Sequence, residues 1–274
     1  MRISFTRVRP WLTAIGGLLA LAVLLPPVGT EARRYVFAQA VQYAVLATAV
    51  PALVVLGAPW RLGPRAPSRL AGEPAPLARN EAATMRLVDR IAVARSHRRP
   101  GTARCLVILI GFIALAVFWR LPLAVNAMVT SPVLTVVEAV TLLVVGVALW
   151  LELVESPPLL PRIARPLRAA FAAVPMWTIW ATAYIMGFSH AVWFTALGHR
   201  PRSGLRVIAD QELAAVVLWA IPGLFFIPVV YFSLITWLRD TTDPDDELRD
   251  VPSADGQARP RAPRPPRGWR LPPA

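Results

Sequence analysis

Met186 and His190 stand four residues apart at the end of an apolar run, a spacing that puts a thioether and an imidazole on one helix face. Those two donor types suit Cu(I). Glu138 lies inside another apolar run, and Gln39 and Gln42 lie near the start of a third. Asp210, Gln211 and Glu212 open a fourth. Ionisable groups are costly at membrane depth and face a partner or a task. Each has a plain structural reading beside a functional one. Gln42 can hydrogen-bond between helices. Glu138 can sit neutral, or pair with an outer arginine. Asp210 can cap the helix that follows it. Met186 can simply pack. No HExxH, GxSxG, Walker or GxGxxG pattern occurs, so the chain is not expected to be an enzyme.

The elements that must position these groups follow from composition. The chain has 274 residues, 56% of them apolar and only 16% charged. Soluble domains carry about 25% charged residues, so this chain has too few to cover a water-facing surface. One cysteine, Cys105, excludes an intrachain disulfide and a multi-cysteine metal site. Six apolar segments reach or approach the roughly 20 residues that cross a bilayer: about 11–29, 35–60, 105–127, 132–154, 169–190 and 211–238. Pro51, Pro175, Pro222 and Pro228 fall inside them, where neighbouring helices can satisfy the freed carbonyls. Trp11, Trp60, Trp119, Trp150 and Trp237 cluster at segment ends, as interfacial anchors do. The expected fold is an all-α, polytopic membrane helix bundle of about six transmembrane helices over 1–239. A Pro/Arg-rich tail over 240–274 is expected to be disordered.

All 29 basic residues are arginine, giving a net charge of +13. A charge of that size could signal nucleic acid, but these arginines lie between apolar runs, so membrane lipid is the expected partner. Twenty-three of them fall before span one, in 61–104, after span four, or in the tail; the other six (Arg33, Arg34, Arg120, Arg200, Arg202 and Arg206) are counted on the opposite side. The positive-inside rule therefore places both termini in the cytoplasm of a bacterial, multi-pass plasma-membrane protein. Within the loop 61–104, residues 81–98 read as an amphipathic helix, either lying on the inner leaflet or serving as a solvated connector. Span one is too long for a typical signal-peptide core and lacks a clean small-x-small site, so it is read as retained.

This orientation gathers the polar groups. Gln42, Glu138, Asp210 and Gln211 all fall toward the outer face, with Asn126, Met128, Met186, His190 and His199 near them. Glu152 and Glu155 lie at the inner end, where loop arginines can meet them.

Three strings then resemble CtaG-type cytochrome c oxidase assembly factors. DQELAAVVLW, from Asp210 to Trp219, followed by Pro222-Gly223, resembles the signature opening the family's last helix. Residues 42–62 resemble its Gln-led segment ending in Gly57-Ala58-Pro59, and 137–150 resemble its Glu-led segment ending in Trp150. The resemblance covers about 35–250. It implies assembly of a haem–copper oxidase, contact with cytochrome c oxidase subunits, and copper insertion at the outer face. Glu138, Met186 and His190 are then the candidate metal ligands, with Gln42 and Asp210 as orienting groups. The chain departs from the family where histidines are usual, carrying Tyr43 after the first Gln and Ala139 and Thr141 beside the Glu. Imidazole is the commonest nitrogen donor to copper. Either the ligands have moved to Met128, Met186 and His190, or the chain is a metal-free paralogue acting as a membrane scaffold or interaction subunit. A small transporter is a third reading; it calls for internal repeats and broken helices, and no repeat is evident.

Overall fold

A computed structural model describes residues 5–61, 86, 90, 93, 102–198 and 206–241. Those residues fold as helices joined by short connections. Helix α1 (Phe5–Leu24) stops where the chain meets Pro26 and Pro27, which cannot continue its hydrogen-bond ladder. A single turn, α2 (Val28–Glu31), leads into α3 (Val36–Gly57). Then follow α4 (Thr102–Arg120), α5 (Pro122–Thr130) and α6 (Pro132–Leu153). Next come α7 (Arg165–Gly187), the short α8 (Thr195–Gly198) and the long α9 (Val207–Thr241).

Five of these helices, α3, α4, α6, α7 and α9, are long and apolar enough to cross a membrane. The apolar part of α1, Pro10–Leu24, is shorter. The span expected over 105–127 is two helices. The chain turns extended at Leu121, because a residue before proline is pushed out of the helical region, and Pro122 then opens α5. The span expected to reach 190 ends at Gly187. Of the proposed amphipathic stretch, only Arg86, Arg90 and Val93 are described; they are helical and exposed. The rest of that stretch, and the tail beyond Thr241, lie outside the described residues.

Helix α3 is the bundle's centre. Of its apolar window, 78% is buried, against 28–44% for the other spanning helices. It packs on α1 along one side and on α6 along another. Where α3 meets α6, the backbones nearly touch: a Cβ at Gly146 would lie 2.6 Å from Pro51 Cγ and 2.9 Å from the Ala47 carbonyl oxygen. Pro51 has no N–H for that carbonyl, and α3 widens to a π-turn over Val45–Ala49 just before it. The outward faces are richly apolar, with Val107, Leu123, Val144, Phe188 and Leu224 all well exposed, as lipid-facing residues must be.

The end of the bundle that carries Leu153 is tied by the two expected acids. Glu152, fully buried, accepts the Arg162 backbone N–H at 2.9 Å and lies 3.7 Å from the Arg162 Nε. Glu155 pairs with Arg168 at 2.9 Å.

Candidate functional site

The opposite end brings together the first turns of α3, α6 and α9 and the last turns of α4 and α7. Arg120 ends α4 with its guanidinium in the interior, only 3% exposed. Its Nη1 donates to Gln39 Oε1, and Gln39 Nε2 donates to Glu138 Oε1 at 3.2 Å. One amide thus joins a buried cation to a buried carboxyl, and both bonds together fix which way the amide points. The arrangement links three helices, α4, α3 and α6. Breaking it would strand a charge out of water.

Aromatic rings enclose the guanidinium. Its central carbon lies 5.4 Å from the Tyr43 ring centre and 5.4 Å from that of Phe194. Two negative ring faces thereby stand within cation–π reach of the guanidinium. Tyr43 donates its hydroxyl to the Ala116 carbonyl of α4 at 2.9 Å. Tyr43 therefore serves as a wall for Arg120 and a strut between α3 and α4. Met186 Sδ accepts weakly from Arg120 Nη2 at 3.9 Å.

Beside this relay is a cavity of about 20 Å³, room for about one water. Gln39, Gln42, Met128, Thr135, Glu138 and Leu197 border it, and Gln42 is almost wholly buried there. The segment after α7 closes over the same end: Phe194 and Leu197 are buried, and Asn126 Oδ1 accepts the Ala196 N–H at 3.1 Å.

Of the four expected outer-face groups, the fold brings Gln42 and Glu138 to one cavity and gives the other two different work. Asp210 does not cap its own helix. It lies inside the first turn of α9 and accepts the Val36 and Phe37 N–H groups, each at 2.9 Å, so it caps α3 from across the bundle. Tyr35, at the N-cap of α3, has no side chain able to do this. Gln211 is a clamp on the segment after α7: Nε2 donates to the Met186 and Ala191 carbonyls at 3.0 and 3.2 Å, and Oε1 accepts the Trp193 N–H at 3.1 Å. Met186 does reach the relay. His190 does not share its helix face, because α7 ends at Gly187 and His190 is exposed beyond it. His199 lies outside the described residues.

Arg120 is the residue that sequence reading missed. In sequence it groups with the outer arginines and reads as a charge at a span's end. Its position at the end of an apolar run, just before Pro122, was the available signal.

A family model described as cytochrome c oxidase caa3 assembly factor (Caa3_CtaG) matches residues 2–240. The chain belongs to that family. No match was found among the curated proteins or among the solved structures. The assembly factor's polar end does not fit copper as it stands. The thioether of Met186 faces a guanidinium, whose charge opposes a second cation, and the candidate imidazole is outside the relay. Among the described residues, no three His, Cys, Asp or Glu side chains are grouped to hold a metal ion.

Proposed function

We propose that this protein assists assembly of a caa3-type cytochrome c oxidase by binding oxidase subunits within the bacterial plasma membrane, with its polar end outward, and that it carries no copper of its own. The observation that supports this reading is Arg120. Its guanidinium occupies the place that a metal ion would need between Met186 and the Gln39–Glu138 pair. The relay ties the outer end of the bundle into one framework, since three spanning helices meet in one buried, hydrogen-bonded chain of side chains. A scaffold requires such a framework; a carrier that loads and releases an ion requires donors free to move.

The test pairs metal analysis with genetics. Full-length protein, purified in detergent and incubated anaerobically with Cu(I), should retain no stoichiometric copper against a competing chelator. A deletion strain should lose assembled oxidase, read by its haem absorbance, and Met186→Leu should restore it as well as wild type does. Stoichiometric copper that disappears in Met186→Leu overturns the metal-free reading. Normal oxidase in the deletion strain overturns the assembly role.

A further inference from the structure

A groove of about 460 Å³ opens on the outward side of the bundle between α7 and α9. Its lining pairs small residues (Ala183, Gly187, Ala215) with the large walls of Tyr184, Phe188 and Trp219. The small residues bring α7 and α9 close: a Cβ on Gly187 would lie 3.0 Å from that of Ala215. Trp180 stiffens the wall, donating its indole N–H to the Trp219 carbonyl at 2.8 Å and stacking on the Trp219 ring. At the groove's outer end stands Glu212, exposed and without a partner among the described residues. It is a carboxyl group at the interface of a chain whose net charge is +13.

We propose that this groove receives a transmembrane helix of the oxidase, one that sets large apolar side chains against Val216 and Trp219 and an arginine or lysine against Glu212. This rests on the assembly role above and names the surface that performs it. Charge complementarity decides between occupants. A lipid seated here would bring its phosphate to the depth of Glu212, where like charges repel. A basic residue near the end of a spanning helix meets the carboxyl group instead, its long side chain reaching out to the interface. A wall already held by Trp180 loses little side-chain freedom on binding. Small residues on the groove's floor allow a helix backbone to approach closely.

The experiment is co-purification of the full-length tagged protein with oxidase subunits from its own membrane. Three variants are compared: Glu212→Arg, Val216→Trp to fill the groove, and Val144→Trp on the exposed face of α6 as a control. Thermal unfolding in detergent checks that all three fold. The expected result is at least a tenfold loss of recovered oxidase subunits for the first two and none for the control. Recovery indifferent to both groove substitutions overturns the groove while leaving the assembly role standing. A wild-type protein that recovers no oxidase subunit overturns the assembly role itself. Lipid that stays bound to wild type in native mass spectra, and is lost in Val216→Trp with oxidase recovery unchanged, assigns the groove to lipid and overturns the proposal.

Discussion

Gln39 is the smallest change that tests the polar end. As the amide between Arg120 and Glu138, it satisfies a donor on one and an acceptor on the other. Gln39→Leu keeps the approximate volume and removes both bonds, leaving two buried polar groups facing hydrocarbon. The expected cost is about 1–3 kcal/mol of stability, the penalty for unsatisfied buried groups. Thermal unfolding in detergent measures it, and an unchanged midpoint would show that the relay does not hold the bundle. The residue types here were legible early. Glu138 and Gln42 were marked because amides and acids are scarce inside apolar runs. Arg120, the partner of Gln39, does not stand out, because an arginine at a helix end looks the same in sequence whether its side chain leaves the membrane or turns inward. The packing of Tyr43 and Phe194 against its guanidinium settles that.

Between elements, two contacts carry the registration of α3. Asp210 holds its first N–H groups from α9, and Gly146 lets α6 cross it at the π-turn. Asp210→Ala orphans two N–H groups at a buried helix start, so about 1–3 kcal/mol should be lost. The same change in a solvated helix start would cost little, since water would replace the carboxylate. Gly146→Val adds atoms where even a Cβ would fall 2.6 Å from Pro51 Cγ. Overpacking of this kind costs about 1–3 kcal/mol, and here the obstructing atoms belong to a ring and a backbone that cannot rotate away. A Gly146→Val protein that unfolds at the wild-type temperature would show that α3 and α6 can separate freely. Capping from a distant helix is invisible in sequence. A local cap is read from an acid preceding an apolar run, and Asp210 matched that pattern while serving another helix.

For the molecule as a whole, sidedness is the claim on which the outward placement of the relay and the groove depends. Cysteines introduced singly into 61–104, in a Cys105→Ser background, should resist a membrane-impermeant maleimide in intact cells and react after lysis. Labelling in intact cells would reverse the bundle and put the relay on the cytoplasmic side.

Hydrocarbon thickness and the cost of unpaired peptide groups act on any chain segment by itself, so an all-helical membrane bundle, its apolar segments and the pairing of Glu152 and Glu155 with nearby arginines were written in local sequence. The family could be read the same way, because its signatures are contiguous strings. Which polar group meets which across the bundle depends on the depth and rotation of each helix after packing. Those are set by contacts such as Gly146 against Pro51, many residues apart in the chain. Tertiary structure alone therefore turned Arg120 inward, sent Asp210 to α3, separated His190 from Met186, and opened the groove beside Glu212.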